Sequence, residues 1–195
     1  MQTPPKTPSP LNEQSDSCTV LVTGGTGFLG SYIVDAVLKQ HPEWRVTVLD
    51  LNLPTVSTFN AVYEIGDVTN AATVNAIVDK VRPDVIIHAA GLVPELAGRY
   101  GREQEARVFD VNVNGTRNML VAARNAGVRA LVWTGSCCTV TDDMKYQYAN
   151  IDERWPVSSR SLIYGESKVG LDIPIEGRLL ITFEDSRRAV SARRQ

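Results

Sequence analysis

Between Thr19 and Leu38 the chain changes local conformation abruptly, and this restricts the fold more than any other feature of its 195 residues. Val20-Leu21-Val22-Thr23 is a short apolar run, suited to a strand buried on both faces. It runs directly into Gly24, Gly27 and Gly30, spaced G-x-x-G-x-x-G. Apolar residues then recur at helical spacing: Phe28, Leu29, Ile33, Val34, Val37 and Leu38. A strand, a tight turn and a helix follow one another without a spacer. Gly24 permits the turn, Gly27 leaves room for a phosphate at the backbone, and Gly30 lets the helix lie close on the strand. The free N–H groups and positive dipole end of the helix then face whatever sits above the turn, which is how such turns hold a pyrophosphate. The glycine spacing differs from G-x-G-x-x-G, but the physical logic is that of a dinucleotide-binding turn.

The second strand, Arg45-Val46-Thr47-Val48-Leu49-Asp50, ends in an acid about twenty residues past the last glycine, where a ribose-binding carboxylate belongs. Asp50 is placed to accept hydrogen bonds from both adenosine ribose hydroxyls and to repel a 2′-phosphate, so NAD is expected over NADP. The rest of the chain continues the alternation. Strands are expected at 61–65, running into Gly66-Asp67-Val68, at 84–88, ending in Ala89-Ala90-Gly91, and at 130–134. Helices are expected at 70–81, stopped by Pro83, and as one long stretch over 104–126. Apolar strands separated by helices predict a parallel sheet covered on both faces, a Rossmann-like doubly wound α/β fold with strand order 3-2-1-4-5.

The two ends read differently. Residues 1–17 are rich in Pro, Thr, Ser and Gln and lack the apolar core of a signal peptide, so they are expected to be a disordered leader. Residues 18–170 form the nucleotide-binding domain. Helical signal near 159–164 is interrupted by Gly170, Pro174 and Gly177, and 178–183 is a candidate sixth strand. Residues 171–195 are an atypical tail that becomes polar and basic, expected to be partly disordered.

The net charge of −2 leaves no electrostatic footprint for nucleic acid, and no apolar run is long enough to span a bilayer. Cys18, Cys137 and Cys138 form neither a disulfide framework nor a metal-binding pattern, which suits a reduced, cytoplasmic setting and no metal. Cys137 and Cys138 are expected to be buried small side chains.

Tyr164-Gly165-Glu166-Ser167-Lys168 places a phenol and an ammonium on one helix face. A nearby cation stabilises phenolate and lowers the tyrosine pKa from about ten. Such a phenol can exchange a proton with an alcohol or ketone near neutral pH, although Y-x-x-x-K is also common on ordinary amphipathic helices. Ser136 follows the fifth strand, on the ligand side of a parallel sheet; it is placed either to hydrogen-bond a substrate oxygen or to cap the turn. His88 is expected to be a satisfied packing residue. Asn112 is either a tie between backbone groups near the site or a plain helix-face residue.

Taken together, Thr23-Gly24-x-x-Gly27-x-x-Gly30, Asp50, Asp67-Val68, His88-Ala89-Ala90-Gly91, Asn112-Val113-Asn114-Gly115-Thr116-Arg117-Asn118 and the set Ser136, Tyr164, Lys168 resemble the extended short-chain dehydrogenase/reductase superfamily. The Leu-Val-Trp-Thr-Gly-Ser strand, and Asp152-Glu153 followed by Pro156, are most similar to the 3β-hydroxysteroid dehydrogenase/isomerase group. Dihydroflavonol-reductase-like and sugar-epimerase-like relatives share much of this pattern.

The resemblance implies an NAD-dependent oxidoreductase that moves a hydride between a secondary alcohol, sterol- or steroid-like, and nicotinamide. Ser136, Tyr164 and Lys168 would be its catalytic residues. Gly24, Gly27, Phe28, Leu29, Gly30, Asp50, Asp67, Val68, Ala89, Ala90, Gly91, Asn112, Tyr164 and Lys168 would contact the cofactor. It implies a small hydrophobic alcohol or ketone as substrate, and is compatible with a homo-oligomer and with peripheral attachment to the endoplasmic reticulum. Relatives continue past the Y-x-x-x-K with a substrate lobe, which the 25 residues after Gly170 do not resemble. A C-terminally truncated product with little turnover is therefore expected, and a non-catalytic NAD-binding module stands as the alternative.

Overall fold

A computed structural model describes residues 17–54, 60–95, 98, 101–141, 162–169 and 180–181. Strands β1 (Thr19–Thr23), β2 (Arg45–Asp50), β3 (Ala61–Ile65), β4 (Val85–His88), β5 (Ala130–Trp133) and β6 (Leu180–Ile181) form one sheet in the order β3-β2-β1-β4-β5-β6. Every pairing is parallel. The first five strands stand in the expected order. Of the candidate sixth strand, only Leu180 and Ile181 are described, in register with Leu131 and Val132.

Alternation along β1 divides the core. Val20 and Val22 pack with Val34, Leu38, Val46 and Val48 beneath helix α1 (Phe28–Gln40). Leu21 packs on the other face with Leu49, Ile86 and Leu131, under Val74, Ile77 and Val78 of helix α2 (Ala71–Val81) and Met119 and Leu120 of a later helix. Both faces are covered, as unbroken apolar strands require. Asn70 caps α2, its Oδ1 accepting from the Thr73 amide at 3.0 Å, and Arg82 ends it in the left-handed region at φ 48°.

The stretch expected as one helix over 104–126 is broken in an informative way. Helix α3 (Glu105–Phe109) passes into a π-helical turn (Asp110–Gly115) and then into helix α4 (Thr116–Asn125). The wide turn presents Asn112 to the chain beyond β4: its Nδ2 donates to Leu92 O at 3.0 Å and its Oδ1 accepts from Leu92 N at 2.7 Å. Such turns concentrate at functional sites. Two short helices complete the described structure, α5 (Cys138–Thr141) and α6 (Ile163–Val169), which pack on each other.

Cys18 is buried, but Cys137 is exposed and Cys138 only half-buried, contrary to the expectation of two buried side chains. The pair sits at the entry to α5, beyond the end of β5, where no core reaches it. Residues 159–161 of the last expected helix, and most of the leader and tail, lie outside the described residues. Among the described residues no helix is long and apolar enough to cross a membrane.

Candidate active site

In the sheet order β1 lies between β2 and β4, so the strand order reverses there and opens a crevice above the strand ends. The turn after β1 is built for close approach. Gly24 has φ +69°, donates its N–H to Leu49 O at 2.9 Å, and would put a Cβ 2.7 Å from the Ala90 backbone. A Cβ on Gly27 would meet only Gly24 O, at 3.2 Å. The near neighbour of Gly30 is not the strand, as expected, but the turn itself, with a Cβ falling 2.0 Å from Gly24 O. Gly27 is the N-cap of α1 and offers no side-chain cap, and the first turn holds no acid, so no side chain of that turn offsets the positive helix end.

A cleft of about 750 Å³ runs from this turn across the strand ends. Gly24, Gly27, Phe28, Leu29, Gly30, Asp50, Asp67, Val68, Ala89, Ala90, Gly91, Tyr164 and Lys168 all line it. Asn112 does not line it, and acts one layer behind through Leu92. Ser136 does not line it either, although Thr134 and Gly135 do. Thr26, Leu51, Leu92, Arg107 and Asp110 line it although no motif in the sequence singles them out. Arg107, Asp110 and Val111 share one face by their i, i+3, i+4 spacing, a signal available in the sequence but indistinguishable there from a solvated helix face.

Each oxygen of Asp50 already takes one backbone N–H, Oδ2 from Thr26 at 3.0 Å and Oδ1 from Leu51 at 2.7 Å. A carboxylate has about four lone-pair sites, so two remain for ribose hydroxyls. Asp67 Oδ1 accepts from Thr69 N at 2.8 Å.

Behind the cleft runs a buried polar chain. Thr116 Oγ1 donates to Asn112 O at 2.7 Å, so at its 3.0 Å contact with His88 Nε2 the imidazole must be the donor. That leaves His88 Nδ1 to accept from the Thr23 hydroxyl at 2.6 Å, while Thr23 Oγ1 accepts from Ala90 N at 3.2 Å. Burial, with a smaller push from the Lys168 cation, holds the His88 pKa at about 3. The imidazole is neutral, fully paired and structural, as expected.

Tyr164 and Lys168 share the cleft-facing side of α6. Lys168 is buried, its Nζ donating to Thr134 O at 3.1 Å and lying 5.2 Å from the Trp133 ring centroid and 5.8 Å from that of Tyr164. Burial lowers its pKa to about 8. Ser136 is half-buried and its Oγ accepts from Cys138 N at 3.2 Å, which closes the turn after β5; it makes no hydrogen bond to Tyr164. The capping alternative is therefore the contact the fold supplies.

The model of the 3-beta hydroxysteroid dehydrogenase/isomerase family matches residues 21–169, from β1 to the end of α6. The 3-beta-hydroxysteroid dehydrogenase of Mycolicibacterium neoaurum is 34% identical over 159 residues, covering 80% of this chain and 42% of that protein. Human 3 beta-hydroxysteroid dehydrogenase type 7 is 37% identical over 139 residues, covering 68% of this chain and 36% of that protein. Among solved structures, the UDP-glucose 4-epimerase of Thermus thermophilus in complex with NAD superposes with a TM-score of 0.66 at 28% identity, covering 79% of this chain and 48% of that one. The chain thus spans less than half the length of each of these proteins. With the glycine turn, the strand-end acid and the Tyr-Lys helix all inside the matched segment, the chain belongs to the 3-beta hydroxysteroid dehydrogenase/isomerase family, within the extended short-chain dehydrogenase/reductase superfamily.

Proposed function

We propose that this chain binds NAD and contributes the proton-transfer residues of a dehydrogenase acting on a secondary alcohol of steroid or sterol type. The observation that carries the reading is a shared cleft, lined by the open N-terminal turn of α1, by Asp50 and by the Tyr164–Lys168 pair. Glycines at 24 and 30 let the turn fold tightly on itself and on the Ala90 backbone, a Cβ on Gly27 would meet only Gly24 O, and the helix end lacks a side-chain cap, which together fit a pyrophosphate. Asp50 would take the adenosine ribose hydroxyls and disfavour a 2′-phosphate. Phe28, Leu29, Asp67, Val68, Ala89, Ala90 and Gly91 line the rest of the same path.

Bound there, nicotinamide supplies the hydride acceptor. Tyr164, as the phenolate, would take the proton from the substrate hydroxyl and become the phenol. Lys168 would hold ribose hydroxyls and, by its charge, favour the phenolate form of Tyr164 that accepts the proton. Ser136 accepts the Cys138 amide and so keeps its own proton to donate, which suits it to orient a substrate oxygen. The substrate is a small hydrophobic alcohol or ketone, and the setting is cytoplasmic. Purified chain is titrated with NADH and NADPH by fluorescence, then assayed for NAD reduction with 3β-hydroxysteroids and simple secondary alcohols. Tighter NADH binding, and turnover lost on Tyr164→Phe, support the reading. Equal or tighter NADPH binding, or turnover indifferent to Tyr164, overturns it.

A further inference from the structure

Helix α6 has seven residues, too few to hold itself together, and it carries a buried amine that burial disfavours. Something must fasten it over the cleft. From the inside, Ile163 is buried and Asn112 Nδ2 donates to Ser167 Oγ at 2.8 Å, that hydroxyl donating in turn to Tyr164 O at 2.7 Å. From the outside a further link is made. Arg102, 64 residues away in sequence, donates from Nη2 to Glu166 Oε2 at 2.8 Å and from Nη1 to Glu166 Oε1 at 3.4 Å. Its Nε donates to Glu105 Oε2 at 2.9 Å, and its Nη2 is paired with Glu105 Oε1 as well. Glu105 opens α3, so the guanidinium is forked between two helices.

We infer that Arg102 is a positioning residue, bridging Glu105 of α3 and Glu166 of α6 so that Tyr164 and Lys168 are held over the cofactor cleft. The inference rests on the functional reading above, because it concerns how that site is kept in place. Neither Arg102 nor Glu166 lines the cleft. Glu166 lies between Tyr164 and Lys168 in sequence, so a pull on it turns both. Isolated surface ion pairs contribute little, but a planar fork gripping two carboxylates fixes geometry as well as charge. The pair is also selective in what it fastens: Glu166 is 22% exposed against 53% for Arg102, so the acid is the held partner and the arginine the clamp.

The test is NADH affinity of the full chain, which needs no turnover. Arg102→Gln and Glu166→Gln are each expected to weaken NADH about 3- to 10-fold, with the double variant no worse than either single one, as residues in one pair behave. Arg102→Lys keeps the charge without the fork and is expected to recover part of the loss. The decisive background is Lys168→Met. If Arg102 acts by placing Lys168, Arg102→Gln costs less than about 2-fold there, since the partner it positions is gone. Wild-type affinity in both single variants overturns the inference. So does an equal loss with and without Lys168, which marks a merely structural role. A wild-type chain that binds no NADH, or a Lys168→Met chain that binds it as well as wild type, instead overturns the cofactor assignment on which the inference stands.

Discussion

Replacing Gly30 with alanine sets two ordinary effects against each other. In a helix interior the change usually stabilises by about 1 kcal/mol, because alanine is the better helix former. Here the new Cβ would lie 2.0 Å from Gly24 O, 2.7 Å from Gly24 C and 2.7 Å from Gly25 Cα. Uncrowded heavy atoms keep roughly 3.5 Å apart, so the methyl must push the turn away from α1. The turn cannot yield freely, since Gly24 lies so near the Ala90 backbone that a Cβ there would fall 2.7 Å from it, and Gly24 O accepts from Gly27 N at 3.1 Å. Overpacking costs about 1–3 kcal/mol and a strained hydrogen bond about 1 more, so the expected net loss is about 1–3 kcal/mol after the helix gain. Urea melts followed by circular dichroism measure it. Two other glycines separate the causes. Nothing lies within 4 Å of a Cβ on Gly135, so Gly135→Ala should stay within about 0.5 kcal/mol of wild type. Gly127 is equally open but has φ +69°, so Gly127→Ala should cost about 1–2 kcal/mol from the backbone alone. A Gly30→Ala chain as stable as wild type, with an unchanged denaturant slope, would refute the close approach as the reason for glycine.

Asp50→Ala should weaken NADH and narrow its advantage over NADPH, read from parallel fluorescence titrations; an unchanged ratio removes Asp50 from the ribose site. Tyr164→Phe should leave NADH affinity within about 3-fold of wild type while removing any turnover the chain shows, since a hydroxyl that acts on the substrate proton contributes little to holding cofactor. Lys168 has a folded pKa of about 8 against 10.5 for the free side chain. Between those values the unfolded chain keeps a proton that the folded chain releases, so this group's contribution to stability rises with pH across the window. It is fully unfavourable below pH 8, by on the order of 3 kcal/mol. Lys168→Met should therefore stabilise the chain at pH 7 and flatten the rise between pH 8 and 10.5 in paired urea melts. An identical pH slope in both chains would contradict a buried amine.

The short apolar runs of β1, β2, β4 and β5 declare both their own conformation and the two-sided burial of the sheet. Asn70 and Gly24 mark a helix start and a turn by chemistry that works locally. What stays hidden in the sequence depends on distant partners. The π-helical turn at Asp110–Gly115 is fixed by Asn112 reaching Leu92, twenty residues earlier, and nothing in the local apolar spacing records it. Arg107 and Asp110 read as a solvated face because only tertiary placement brings them to the cleft. Cys137 departs from expectation because small apolar character says nothing about whether a loop end lies over the core. Tyr164 and Lys168 are legible through their spacing, but the arginine clamp outside them is not.

The central place of β1 has a consequence for synthesis. β1 leaves the ribosome before either neighbour; it pairs on one side with β2, 26 residues on, but on the other with β4, where Val20 meets Val85. At roughly 5–20 residues per second, the 65 residues that separate those partners take about 3–13 s to emerge. Throughout that interval the middle strand of the finished sheet is an unpaired edge, rich in valine, on a nascent chain. Faults in the glycine turn or in α1, which covers the Val20 and Val22 face of that strand while its edge waits for β4, would therefore reduce the yield of native protein more than they reduce the melting temperature of the molecules that succeed.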